Sequence, residues 1–236
     1  MAILVFVLWR AGRSRAVEPS AQVGDAPRGL PPAPAPTSGT PTVVDPKKIL
    51  FSMPTICDLA PPLVPLASAA GDGNLFVLHE DDWRQVELVA KADHAAISGV
   101  LDEVRASIRT NRDGPGWKNV YVRKEHPTAI ASLGLTEQMI RAPFGAIQAR
   151  RVGLSSGGPA TSQVRGGFAF TVPGLGTLYG NADRERVRTL ALVPARGAID
   201  AAPRDKLNAL CREHGLEIID WERQDWVDPE MALWGR

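Results

Sequence analysis

Short runs in which apolar and polar residues alternate recur along this 236-residue chain, with turn residues between them. Phe168, Phe170 and Val172 alternate before the turn Pro-Gly-Leu-Gly, and residues 185–193 form a further strand-like run. Period-two alternation is typical of strands with one buried face. Two helical patterns interrupt the strands. The sequence therefore predicts an α+β fold, with a largely antiparallel sheet and two main helices packed on one of its faces.

The two predicted helices carry apolar residues spaced three and four positions apart, which places them on one side of a helix. The first helix follows Asp93 and ends near residues 111–116, with the apolar residues Ile97, Val100, Leu101, Val104 and Ile108. The second runs from about Pro203 to His214, with Leu207, Leu210, Cys211 and His214 on one side. Gly215 follows as a typical C-terminal cap. Each helix is predicted to bury one side against the sheet.

The segment His79-Glu80-Asp81-Asp82 separates two apolar runs, residues 75–78 and residues 86–88. Val86 and Leu88 alternate with the polar Gln85 and Glu87, which predicts a half-buried strand. Polar residues between two β-type runs are typical of a hairpin turn. A hairpin, a helix and a strand would then follow one another twice along the chain. The sequence leaves open an internal pseudo-repeat of this unit.

The chain is predicted to have three parts. Residues 1–15 form an apolar and basic leader, residues 16–46 a Pro/Ala-rich disordered linker, and residues 47–236 a single α+β domain. The linker contains eight prolines and no aromatic residue. Such a segment stays extended because it cannot bury enough apolar surface to offset its ordering entropy. A Pro-rich run also suits an aromatic-lined groove, which is the alternative.

The apolar stretch of residues 2–9 is too short for a membrane-spanning helix, which needs about 20 residues. Its positive charges follow the apolar stretch, which is the reverse of a secretory signal. Three interpretations remain: a truncated anchor, a start codon upstream of the true one, and an interfacial segment. We expect a cytoplasmic protein without stable membrane insertion, or a membrane-tethered protein if the segment is a real anchor.

The net charge and the cysteine content of the chain limit the classes of partner and cofactor that we expect it to bind. The net charge is +1, from 27 basic and 26 acidic residues, whereas a polyanion partner normally requires a strong basic excess. We therefore expect no nucleic acid. Cys57 and Cys211 form no Cys-x-x-Cys pair, and two buried or half-buried thiols are predicted. The chain has no credible cofactor fingerprint, so no cofactor is predicted.

A histidine followed by three carboxylates is a candidate for metal binding or acid–base chemistry. His79 and Asp82 are the first candidates for both roles, because a tight turn can bring residues at this separation close together. Adjacent residues on an extended strand point to opposite faces, however, and acidic residues are also common in simple turns. A charged turn is therefore favoured over a functional site.

Two further patterns are associated with chemistry. Cys211 and His214 lie three residues apart on a helix and can supply half of a zinc site, although both continue the apolar stripe. Residues 153–157 match the Gly-x-Ser-x-Gly nucleophile pattern, in which Ser155 requires a following helix that the next residues do not suit. His126 is the remaining candidate for a catalytic role.

Three of the six tryptophans, Trp221, Trp226 and Trp234, lie near the C-terminal end. Large aromatic residues occur both at binding hot spots and as core clamps. We favour the clamp, and retain the three tryptophans with Asp225 as the predicted binding residues for a partner.

These patterns favour a non-catalytic protein-interaction protein, which binds a protein partner across a sheet face or hairpin. The alternative is a small hydrolase or metal-assisted enzyme that uses His79 and Asp82 with His126 or Ser155. The two classes differ in a measurable way, because only the second predicts stoichiometric metal or turnover.

Overall fold

The computed structural model of the chain describes residues 50–58, 61–65, 74–124, 129–156 and 161–227. These residues contain three α-helices: α1 (His94–Asn111), α2 (Glu137–Arg141) and α3 (Ala201–His214). Their strands are β1 (Thr55–Cys57), β2 (Leu63–Pro65), β3 (Leu75–His79), β4 (Val86–Ala90), β5 (Arg112–Asp113), β6 (Gly116–Trp117), β7 (Tyr121–Arg123), β8 (Arg151–Ser155), β9 (Thr161–Val164), β10 (Gly167–Val172), β11 (Gly176–Asp183), β12 (Arg186–Pro194), β13 (Leu216–Asp220) and β14 (Asp225–Val227). Helices combined with mostly antiparallel strand pairs confirm the predicted α+β class.

The largest sheet has six strands in the order β10-β11-β12-β4-β13-β14, and all its neighbours are antiparallel. β11 and β12 form a long hairpin, with Leu178 opposite Leu192 and Gly180 opposite Leu190. β4 lies between β12 and β13, and all five of its residues are buried. A strand with neighbours on both edges and covered faces has no solvent-facing side, so the half-buried strand predicted for this segment was wrong.

A second sheet has four strands in the order β2-β9-β8-β3, with β3 parallel to β8. Two smaller sheets pair β1 with β7 in parallel and β5 with β6 in antiparallel orientation. β3 and β4 therefore lie in different sheets, and the predicted hairpin between them was wrong. Without this hairpin the first unit of the pseudo-repeat is missing, and the pseudo-repeat is not confirmed.

One face of the six-stranded sheet is covered by α3 and α2. Leu207 and Leu210 of α3 pack in one apolar cluster with Leu88, Leu190 and Ile218 of the sheet. These three sheet residues lie on adjacent strands and point to the same side. The α3 stripe is therefore buried as the sequence predicts, and Cys211 lies in the same cluster.

The opposite face is shared by two different layers. The four-stranded sheet packs Val152 and Leu154 against Tyr179 and Ala191. Helix α1 covers the other half of this face, with Ile97, Leu101 and Val104 packed against Val89 and Ile219. The two main helices therefore lie on opposite faces of the six-stranded sheet, and the prediction of a single helical face was wrong. The reason is that β4 and β13 carry apolar residues on both faces.

Both main helices lie where the sequence predicts them. Gly215 has φ of 63° and its N–H bonds to the Cys211 carbonyl, which is the left-handed cap expected at this position. None of the helices within the described residues is long and apolar enough to cross a membrane. The proposed leader (1–15) and linker (16–46) lie outside the described residues, so the three-part division stays a prediction.

Candidate functional site

The centre of the six-stranded sheet buries charged side chains on its α1 side. Alternation along β4 sends Leu88 towards α3 and Glu87 towards α1. The exposed fraction is 5% for Glu87, 6% for Arg84 and 3% for Arg123. Residues of these types are almost never fully buried unless they are paired. This cluster is the most unusual chemistry among the described residues.

Glu87 has both carboxylate oxygens occupied. Arg84 donates from Nε and Nη2 to Oε1, at 2.9 and 2.5 Å. The Trp221 indole Nε1–H donates to Oε2 at 3.2 Å. A buried carboxylate is tolerated only with such partners, because desolvation otherwise costs more than the fold can offset. The Arg84–Glu87 pair and Trp221 therefore form one connected unit.

The backbone of Arg84 is held in an uncommon conformation. Its φ is 60°, in the left-handed region that residues other than glycine enter at a cost of about 1–3 kcal/mol. The Arg84 N–H donates to the Tyr179 hydroxyl at 2.9 Å, and this hydroxyl donates to the Asp82 carbonyl at 3.1 Å. Burial raises the pKa of Tyr179 well above its ordinary range. The neutral Tyr179 hydroxyl thus holds the backbone of Arg84 in the conformation that places its guanidinium beside Glu87.

Arg123 is the second buried guanidinium. Its Nη2 donates to the Arg84 carbonyl at 2.9 Å, and Nη1 lies 3.3 Å from Thr55 Oγ1 and 3.4 Å from Gln85 Oε1. The guanidinium also stacks over the Trp221 ring, 4.6 Å from its centre. Burial lowers the pKa of Arg123 to about 10, and nearby Glu87 opposes this shift. Among the described residues, no carboxylate hydrogen-bonds to Arg123.

A small cavity of about 20 Å³ lies between these charges and α1. Arg84, Glu87 and Trp221 line its inner part, and Arg123 lies beside them. The remaining wall is formed by Cys57, Val89, Ile97, Val100 and Lys124. Lys124 is the exposed residue among those that line the cavity. The guanidinium groups of Arg84 and Arg123 and the carboxylate of Glu87 are thus the buried charged groups in this wall.

No protein-family model, curated protein or solved structure matches the chain. No pattern in the sequence predicted Arg84, Glu87 or Arg123 as candidate functional residues. The polar character of Glu87 was visible, but alternation alone gives the same pattern for a solvent-facing side chain and for one buried beneath a helix.

The residues 79–82 do form a charged turn. Glu80–Asp82 is a 3-10 helix with no buried residue, and His79 precedes it as its N-cap. His79 Nδ1 accepts from the Asp81 N–H at 3.2 Å and lies 3.3 Å from Asp81 Oδ2. The carboxylate beside His79 is thus that of Asp81 and not of Asp82. His79 Nδ1 thus faces both the backbone and the side chain of Asp81.

Ser155 is the last residue of β8 and lies opposite His79 in the parallel register. The structure therefore brings these two candidates together on neighbouring strands. Ser155 is also opposite Thr161 of the antiparallel strand β9. The nucleophile pattern requires a helix after the serine, and residues 157–160 lie outside the described residues, so Ser155 stays a prediction. His126 lies outside the described residues.

Cys211 and His214 are not brought to a metal site. Cys211 is buried in the core on the α3 side, where burial raises its pKa to about 12. Cys57 packs on the other side of the six-stranded sheet, so the two cysteines cannot share an ion. The part of the chain that the structure describes contains no group of three or more His, Cys, Asp or Glu residues arranged to hold a metal.

The C-terminal tryptophans have separate roles. Trp221 is only 3% exposed and forms the inner cavity wall. Trp226 on β14 stacks on His94 at 4.3 Å between ring centres and donates from Nε1 to Ser98 at 3.2 Å. Trp226 therefore packs β14 against α1, whereas Trp221 packs in the wall of the cavity. Asp225 is exposed and lies 3.5 Å from Arg105, while Trp234 falls outside the described residues.

Proposed function

We propose that the chain is a non-catalytic protein-interaction protein whose partner adds a strand to the free edge of β3. β3 ends the four-stranded sheet and, within the described residues, is hydrogen-bonded to β8 alone. A strand edge offers a row of backbone donors and acceptors to another extended chain. This edge is the observation that carries the proposal.

The direction of the backbone groups supports strand addition. The Arg151 N–H donates to the Asn74 carbonyl at 3.0 Å, which sets the alternation of the parallel ladder. In that alternation the N–H and C=O groups of Leu75, Val77 and His79 point away from β8. Three residues with outward groups are enough to begin pairing with an extended segment.

The side chains of β3 also suit a docking edge. Natural proteins protect edge strands with lysine, proline or inward-facing charge. β3 has the sequence Leu-Phe-Val-Leu-His and contains none of the three protecting devices. Val77 at its centre is 48% exposed. An apolar, unprotected edge is typical of a surface that another strand covers.

The chemistry of the chain supports a protein partner and a cytoplasmic location. The net charge of +1 gives no basic excess for a nucleic acid. Cys57 and Cys211 are not joined in a disulfide, and cysteines outside disulfides are usual in reducing compartments. These two observations favour the protein-interaction class without naming the partner.

The test is affinity capture from extract with the full chain and three variants. Val77→Lys places a charge at the edge, and Val77→Pro removes one outward N–H while leaving the bonds to β8. Met139→Lys is the matched control, because Met139 is 40% exposed on α2, on the other side of the six-stranded sheet. We expect one partner to be retained by the wild type and Met139→Lys and lost by both Val77 variants.

Circular dichroism of each variant separates a lost surface from a lost fold. If folded Val77→Lys and Val77→Pro proteins retain the same partner in wild-type yield, β3 is not the docking edge. Turnover of an ester or peptide substrate that disappears with Ser155→Ala would instead favour the hydrolase alternative.

A further inference from the structure

We propose that the strand added to the β3 edge is β3 of a second copy of this chain, antiparallel to the first about a two-fold axis at Val77. This inference rests on the proposed use of the β3 edge and names its partner. Leu75 of each copy then lies opposite His79 of the other, and Val77 lies opposite itself. The four-stranded sheets of the two copies become one continuous sheet.

The first observation is the symmetry of the outward backbone groups of β3. They belong to Leu75, Val77 and His79, and Val77 is the central residue of the strand. In an antiparallel ladder, two opposite residues whose groups point towards each other exchange both N–H···O bonds. The pairing about Val77 meets this condition at its centre and at both ends. All the outward groups of β3 are then paired in the dimer.

The second observation is the charge at the two ends of the edge. The turn Glu80–Asp82 follows β3, carries three carboxylates and has no buried residue. The exposed Arg151 lies opposite Leu75, at the other end of the strand. Antiparallel pairing brings the acidic turn of each copy to the Arg151 end of the other, where opposite charges attract. Parallel pairing would instead place the two acidic turns side by side.

The third observation is the apolar character of the strand between these ends. β3 contains no Lys, Arg, Asp or Glu, so no like charges meet along the shared edge. Val77 is 48% exposed, and pairing with its copy would remove apolar surface from water. A two-fold dimer uses the same patch on both copies, so the patch has to complement itself. The charges and the backbone groups of the β3 edge meet this requirement.

Sedimentation equilibrium of the full chain from about 1 μM to 1 mM tests self-association. The shared edge is small, so we expect a reversible dimer with a dissociation constant above about 1 μM. Val77→Lys places two like charges opposite each other at the axis and should raise this constant at least about tenfold. Val77→Pro removes an outward N–H from each copy and should act in the same direction. Met139→Lys, on α2, should leave the constant unchanged.

The contact between the charged ends is tested separately. Arg151→Glu places a carboxylate beside the acidic turn of the other copy and should raise the dissociation constant about twofold to fivefold. Arg188→Glu makes the same change at an exposed arginine of β12 and is the matched control. It should leave self-association unchanged.

Cysteine cross-linking under mild oxidation tests the register. The two Val77 Cα atoms should lie about 5.5 Å apart, within the range of a disulfide, so Val77→Cys should form a covalent dimer. Leu75→Cys alone should not, because its two copies are about 13 Å apart along the strands. A mixture of Leu75→Cys and His79→Cys should cross-link. Met139→Cys and the wild type measure the background from random collisions and from the native cysteines.

Self-pairing and strand addition can fail separately. A chain that stays monomeric up to about 1 mM overturns self-pairing, as does a dimer that folded Val77→Lys and Val77→Pro leave unchanged. A dimer that Arg151→Glu leaves unchanged and that Val77→Cys does not cross-link overturns it as well. If a monomeric chain retains a different protein in the affinity capture and both Val77 variants lose it, the second copy is wrong and strand addition at β3 stands. If neither self-association nor capture depends on Val77, both proposals fail.

Discussion

Trp221 Nε1 and Glu87 Oε2 are joined by a 3.2 Å hydrogen bond between residues 134 positions apart in the chain. The same carboxylate pairs with Arg84 through its other oxygen. The bond ties β4 to the end of β13 at the point where α1 covers the sheet. The Glu87 carboxylate thus links the buried Arg84 to Trp221.

Replacing Glu87 with glutamine should destabilise the fold strongly. Glu87→Gln removes the carboxylate charge that pairs with the buried Arg84 guanidinium, and removal of one partner of a buried pair costs about 3–5 kcal/mol. Urea unfolding should show this as a lower midpoint. Asp102→Asn breaks the exposed pair with Arg105 and should cost about 0.5 kcal/mol or less. Equal effects of the two changes would contradict a structural role for the buried pair.

Stability should depend on Cys211 in alkaline solution. Burial raises the pKa of this thiol from 9.0 to about 12. Below pH 9 the thiol is protonated in both states. Between pH 9 and 12 the unfolded state alone loses the proton, so the free energy of unfolding falls by about 1.4 kcal/mol per pH unit.

The measurement compares the pH dependence of unfolding for the wild type and Cys211→Ala. Other groups titrate in this range and contribute to both curves, so only the difference reports on the thiol. The wild type should lose stability more steeply. Parallel curves from pH 9 to 12 would show that Cys211 is not sequestered from solvent.

His94 should hold β14 in place. Its ring stacks on Trp226 at 4.3 Å and its Nδ1 lies 2.6 Å from Glu217 Oε2. His94→Ala should accelerate amide hydrogen exchange in β14 about threefold to tenfold, which corresponds to the loss of one aromatic pair. His214→Ala, on α3 at the opposite face, is the control and should leave β14 exchange unchanged. Unaltered exchange in His94→Ala would mean that Trp226 is held by other contacts.

Replacement of Gly180 and of Gly99 by alanine should change the stability of the fold in opposite directions. A Cβ at Gly180 would overlap the Thr189 carbonyl of the neighbouring strand, so Gly180→Ala must distort the β11–β12 hairpin. Gly99 is exposed in α1 with nothing near a Cβ, and Gly99→Ala should stabilise by about 0.5–1 kcal/mol. Thermal unfolding should place Gly180→Ala below the wild type and Gly99→Ala above it. The reverse order would show that the hairpin adapts to the added methyl group.

The helices and the long C-terminal strands could be predicted because each depends on residues close together in the sequence. The apolar spacing in residues 97–108 indicates α1, and Gly215 marks the end of α3. The alternation of Phe168, Phe170 and Val172 indicates β10. The hairpin across residues 79–82 could not be predicted correctly, because a polar turn between two apolar runs looks the same whether or not the two strands pair.

The candidate site could not be predicted from the sequence, for a related reason. Glu87 alternates with apolar neighbours as a solvent-facing residue does, and its burial depends on α1 packing over β4. The residue type of Trp221 marks it as a binding candidate, while its contact with Glu87 depends on β13 lying beside β4. His79 and Ser155 are far apart in the sequence, and the parallel pairing of β3 with β8 places them side by side.

By itself the sequence determined the α+β class, the positions of α1 and α3 and the strands of the last third, because periodicity and caps act over a few residues. Tertiary structure alone decided which strands are neighbours, that the helices cover opposite faces, and that Arg84, Glu87 and Arg123 meet beside one cavity. These outcomes depend on which surfaces pack together over long sequence separations, and neither face of β4 could be recognised as buried until both layers were in place.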